Sequence, residues 1–135
     1  MSCELNYEIY HKLIVTGDFK DLIVYQKAYQ LAKGIHTLTK TFPTDEKFSL
    51  IDQIRRSSRS VCVNLAEAYR KRRYKAHFIS KLSDSETENT ETGVWLNFSF
   101  DFNYISKDVF DNLYNRNNEV GKILYFMINN PDKFL

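Results

Sequence analysis

Apolar side chains recur along the chain at alternating steps of three and four residues, the spacing of a helical stripe turned toward other helices. Val24, Ala28, Leu31, Ile35, Leu38 and Phe42 form the first stripe. Gly34 inside it costs about 1 kcal/mol of helix propensity, which packing must offset. Phe42-Pro43 closes the segment, because the residue before a proline avoids the helical region. Thr44 then offers an N-cap, with Asp45 and Glu46 suited to the positive end of the helix dipole. Ile51, Ile54, Ser58, Val61, Leu65 and Ala68 carry a second stripe to Tyr69, and Arg70-Lys71-Arg72-Arg73 marks a corner.

The third stripe, Phe78, Leu82, Ser85, Asn89, Thr92, Leu96 and either Ser99 or Phe100, is polar in its middle. Those groups need hydrogen-bond partners where they are buried. Its end conflicts with itself, since residues 96–104 alternate apolar and polar with the period of a strand. A lone strand would leave both edges unpaired, so the segment is read as a helix buried on more than one side. Ser106 caps the last helix, whose seam is Val109, Leu113, Val120, Leu124 and Met127, and Asn130-Pro131 ends it. The pattern predicts helices over about residues 20–42, 45–71, 74–104 and 107–129, an all-α chain folded as an antiparallel up-down-up-down four-helix bundle. Residues 1–19 show no clear repeat and are read as a loosely docked leader, and residues 131–135 as a C-terminal tail.

Length and composition fit one such domain: 135 residues, 43% hydrophobic and 27% charged. Ten Phe and nine Tyr exceed what a thin bundle core needs, which leaves rings for a partner. Cys3 lies in the polar leader and Cys62 in a helical pattern, so the two do not form a disulfide framework and Cys62 is read as a small buried hydrophobe. The amino end lacks the long apolar stretch of a signal peptide, and no run approaches the length of a membrane span. A cytoplasmic protein with no membrane contact is expected.

The net charge of +2 hides a concentration of cations. Arg55, Arg56, Arg59, Arg70, Lys71, Arg72, Arg73 and Lys75 face only Glu67 within residues 55–75, a local +7 that leaves −5 for the rest. Such a cluster either binds RNA or DNA phosphates, with Tyr69 and Tyr74 placed to stack on unpaired bases, or solvates a corner and stabilises a helix C-terminus. Opposite the apolar stripe of the second helix stands a polar ladder, Gln53, Arg56, Ser60, Asn64 and Glu67, with Val63 among it. It suits a second contact, within the bundle or between subunits, and equally an exposed stripe.

Catalytic chemistry is not in evidence. His11, His36 and His77 lack metal-ligand spacing, and no Glu-x-x-His pair accompanies Glu86, Glu88 and Glu91. Glu88 is placed to meet an Arg of the second helix, as a structural pair. There is no glycine-rich phosphate loop, serine elbow or Cys-His arrangement. A non-enzymatic protein without cofactor, metal or catalytic residues is expected, acting by binding RNA or DNA or as a scaffold for a protein partner.

Several runs carry a resemblance. Phe19-Lys20-Asp21-Leu22-Ile23-Val24-Tyr25-Gln26-Lys27-Ala28, then Phe42-Pro43 with Glu46 and Leu50, then Gln53-Ile54-Arg55-Arg56-Ser57, Ser60-Val61 and Asn64-Leu65-Ala66-Glu67-Ala68 resemble the bacterial proteins encoded in intervening sequences of 23S ribosomal RNA genes. Ser85 with Glu88, and Tyr104-Ile105, extend the likeness over about residues 19–128. Tyr25 stands where that family usually has Trp, Ala68 where it has Gly, and the third helix is richer in Phe. The resemblance implies a four-helix bundle assembled as a homo-oligomer, commonly a homopentamer, without enzymatic activity. The chain also resembles the related accessory protein of diversity-generating retroelements, a basic pentamer that binds nucleic acid and a reverse transcriptase. On that basis Gln53, Arg55, Arg56, Asn64 and Glu67 are the matched positions.

Overall fold

The computed structural model describes residues 18–135. Cys3, His11 and nearly all of the leader lie outside the described residues. Four helices follow one another, α1 (Ile23–Thr39), α2 (Leu50–Arg70), α3 (Lys75–Asp101) and α4 (Lys107–Asn129), with short 3-10 turns at Phe19–Asp21, Thr44–Glu46 and Pro131–Lys133. Each helix packs on its neighbours in chain order, α4 closes back onto α1, and the broadest contact joins α2 to α3. This is the four-helix bundle that the stripes predict.

The stripes become the core. Val24, Ala28, Leu31 and Ile35 of α1, Ile54, Val61, Leu65 and Ala68 of α2, Phe78, Leu82 and Leu96 of α3, and Val120, Leu124 and Met127 of α4 are all buried. Helix α2 starts later than Thr44, because Thr44–Glu46 forms its own 3-10 turn and Ser49 precedes the first helical residue without a side-chain cap. Ser106 does cap α4, its hydroxyl accepting from the Val109 amide at 3.2 Å.

The aromatic end of α3 is helical through Asp101. It stops in a left-handed residue, Asn103 (φ 62°), with the Tyr104 amide donating to the Ser99 carbonyl and the Asn103 amide to the Phe100 carbonyl, both at 2.9 Å. The expected burial on more than one side needs correction. Leu96 and Ser99 are buried, but Phe98 and Phe102 are 42% and 52% exposed, because α2 and α4 cover only part of the circumference of α3. The tail turns inward: Phe134 is fully buried and meets Phe126 edge to face at 5.9 Å.

Polar groups in the core are paired. Ser57 and Thr92 share a hydrogen bond of 2.8 Å between α2 and α3, and the Ser85 hydroxyl donates to the Val61 carbonyl at 2.9 Å. Asn89 of α3 and Asn117 of α4 bond reciprocally. Among the described residues no buried side-chain nitrogen or oxygen lacks a partner, as a low-dielectric interior requires.

Candidate functional site

Helix α2 carries four of the eight clustered cations, Arg55, Arg56, Arg59 and Arg70, and its rotation separates them into groups with different work. Arg55 points back to the end of α1, where its Nε donates to Thr39 Oγ1 at 2.8 Å and its terminal nitrogen to the His36 carbonyl at 3.3 Å. Arg56 points the other way, to α3, pairing with Glu88 at 3.3 Å and with Glu91. Glu91 also accepts from the Trp95 indole at 3.2 Å, and the Arg56 guanidinium beside it holds its carboxyl below the usual range. The meeting of Glu88 with an arginine of the second helix is thus present in the fold.

The polar ladder reaches α3 through two of its members, Arg56 and Glu67. Gln53 accepts from Arg56 Nε at 3.4 Å, Asn64 donates to the Ser60 carbonyl at 3.0 Å, and Glu67 pairs with Lys81 of α3 at 2.8 Å. Val63, between them in sequence, is 55% exposed.

Arg59, Arg70 and Lys71 border a groove between α1 and α2, of about 780 Å³. Its floor is apolar: Phe19, Tyr25, Tyr29, Ala32, Cys62, Val63 and Ala66 line it, and Lys33, Arg59, Arg70 and Lys71 stand at its rim. Phe19 meets Tyr25 edge to face at 5.1 Å, and Tyr25 stacks on Tyr29 at 5.9 Å. Cys62 is buried, and loss of water around it pushes its thiol up to about 11, so it is a neutral thiol in the floor.

Arg59 donates to His36 Nδ1 at 3.0 Å. A guanidinium has no lone pair to offer, so that ring nitrogen accepts and the imidazole is neutral in this arrangement. Desolvation, then the charges of Arg55, Lys40 and Arg59, hold the His36 pKa below its ordinary value. Arg70 lies 3.8 Å from Asp18, a long and exposed pair, and within 6 Å of the Phe19 and Tyr69 rings.

At the α2–α3 corner the cations split again. Arg72 stacks over the Tyr69 ring at 3.9 Å and donates to its carbonyl, while Lys75 pairs with Asp132 at 2.9 Å. Lys71 and Arg73 are exposed and make no ion pair among the described residues. Tyr74 is exposed beside them and packs on His77. The cluster of eight is therefore not one patch. Sequence reasoning missed what α1 adds, Tyr25, Tyr29, Lys33 and His36; the only available signal was that these residues flank the first apolar stripe at helical spacing.

The described residues contain no group of three or more His, Cys, Asp or Glu arranged to hold a metal ion, and no helix long and apolar enough to cross a membrane. No curated protein matches the chain. A crystal structure of a protein of unknown function from the S23 ribosomal protein family of Bacteroides thetaiotaomicron is similar, with a TM-score of 0.73 and 30% identity over 79% of this chain and 96% of that one. The family profile described as 23S rRNA-intervening sequence protein matches residues 20–126, a span that includes all of α1, α2 and α3 and most of α4. With fold and most of the length in agreement, the chain belongs to the 23S rRNA-intervening sequence protein family.

Proposed function

We propose that this protein is a non-enzymatic bundle that works as a homo-oligomer and binds nucleic acid through the cations of the α1–α2 groove and the adjoining corner. The observation that carries the reading is the division within the basic cluster. Arg55 and Arg56 are engaged in holding α1 and α3 to α2, whereas Arg59, Arg70, Lys71 and Arg73 are exposed and make, among the described residues, only one long ion pair. Cations held at a surface without acids to neutralise them attract a polyanion and release its counterions. Four phosphate contacts predict a log–log salt slope of about −3 to −4.

The test is binding of structured RNA and duplex DNA across a salt series, with wild type beside Lys71→Gln/Arg73→Gln. Absence of affinity at low salt, or affinity unchanged in the double variant, ends this reading. A protein scaffold with a solvated basic corner is then the better account.

Self-association draws on other surface. Val94 and Phe98 of α3 and Phe102 just past its end are exposed, and Phe48 stands 86% exposed in the α1–α2 connection, apolar area that a second copy would cover. The family resemblance implies a homopentamer. Solution mass tests the assembly, and a stable monomer at micromolar concentration ends that part of the proposal.

A further inference from the structure

We propose that the α1–α2 groove takes a single-stranded segment, its bases against Tyr29 and Val63 and its phosphates on the rim cations; this rests on the nucleic-acid reading above. The argument begins with what the floor presents. Tyr29 and Val63 are 47% and 55% exposed, yet both face a concave, largely apolar channel. A duplex offers phosphates but hides the faces of its bases, so it would satisfy the rim and leave this floor uncovered. An unpaired strand offers both, since every base has an apolar face and every nucleotide a charge.

The floor is also held in place. Phe19 wedges against Tyr25, and Tyr25 stacks on Tyr29 with their planes 21° apart, so the ring that would receive a base is already supported from behind. Lys33 Nζ lies over the Tyr29 ring at 5.7 Å. That long side chain can exchange the ring for a phosphate, which makes room for a base where the cation lay. Among the described residues Glu67 is the one acid lining the groove, and Lys81 of α3 pairs with it at 2.8 Å, so the described lining keeps its positive sign. From Arg59 to Lys71 helix α2 rises about 18 Å, enough to follow a short run of nucleotides.

The experiment compares short oligothymidine and oligouridine with a duplex of equal phosphate count, using the full chain at one salt concentration. The expected result is single-strand affinity about tenfold above duplex, lowered about tenfold by Tyr29→Ala and kept by Tyr29→Phe, with duplex affinity unchanged in both. The two oligonucleotides separate DNA from RNA as the source of the strand. Photocrosslinking of 4-thiouridine oligomers to the wild-type protein gives a readout independent of any variant, with adducts expected on Tyr25 or Tyr29. Equal affinity for strand and duplex, adducts confined to the corner beyond Lys71, or displacement of the strand by an acidic amphipathic peptide but not by oligothymidine overturns the groove assignment while leaving electrostatic binding intact. Failure of every nucleic acid to bind at low salt instead removes the parent reading.

Discussion

Asn89 and Asn117 join α3 to α4 through a reciprocal pair: each side-chain amide donates to the other's backbone carbonyl at 3.0 Å, and Asn89 Nδ2 also reaches Asn117 Oδ1 at 3.0 Å. Each asparagine is followed four residues on by a glycine, Gly93 and Gly121, which leaves space for the opposite amide. A methyl group on Gly121 would lie 2.7 Å from Asn89 Oδ1. Such a pair fixes the register of two helices that hydrophobic contact alone would let slide.

Disturbing that pair is therefore costly from either side. Asn117→Ala leaves the Asn89 amide its bond to the backbone carbonyl of residue 117 but removes the Oδ1 acceptor and the amide that donates to the Asn89 carbonyl, and should lower unfolding free energy by about 1–3 kcal/mol. Gly121→Ala should also destabilise, by about 1–3 kcal/mol from overpacking, although alanine is the better helix former by about 1 kcal/mol. Urea unfolding measures both. A Gly121→Ala protein more stable than wild type contradicts the close approach described above.

The two arginine groups should separate stability from binding. Arg55→Ala should cost about 1–2 kcal/mol through its lost bonds to Thr39 and His36, with nucleic-acid affinity retained. Lys71→Gln/Arg73→Gln should leave the melting temperature in place and reduce the single-strand salt slope by about 1.4. Arg56→Ala breaks a half-exposed network, so its effect stays near 1 kcal/mol or below. Thermal melts and salt titrations of the same samples decide between these outcomes.

Proton linkage follows from His36. Its pKa is depressed in the free protein by burial and by Arg55, Lys40 and Arg59. A phosphate on Arg59 would offset part of that charge and raise the pKa, so binding takes up a proton and affinity should rise as pH falls through the window below 6.5. Without ligand the sign runs the other way for stability. The unfolded chain holds the proton more tightly, so stability should fall as pH drops from the unfolded value toward the folded one. His36→Gln should flatten both dependences, as read by affinity and melting temperature between pH 5 and pH 8.

The last residues carry structural weight. Phe134 is wholly buried against Phe126, so Phe134→Ala should cost about 3–5 kcal/mol, and removing residues 134–135 should do similar damage. A truncated chain with unchanged denaturation midpoint contradicts this packing.

Periodicity made the bundle legible because the same three-four spacing that forms a helix also decides which side is buried. Ser85, Asn89 and Thr92 were recognisable as seam positions needing partners, and all three are buried and bonded. Their partners were not recognisable, since Asn117 fills the step between Leu113 and Val120 and the pairing spans 28 residues. The basic cluster was visible as composition, but the direction each arginine takes depends on α2's rotation against α1 and α3. Tyr25 and Tyr29 went unread as groove residues for the same reason. Phe134 was passed over because it follows a helix-ending proline, where local pattern carries no information about burial.

Cys62 gives this molecule a clock of its own. The thiol lies in the groove floor as the one cysteine among the described residues, and at neutral pH almost none of it is the reactive thiolate. Alkylation there must reach a nearly buried sulfur through the groove floor, so its rate should report how often that floor opens, and any ligand seated in the groove should slow it.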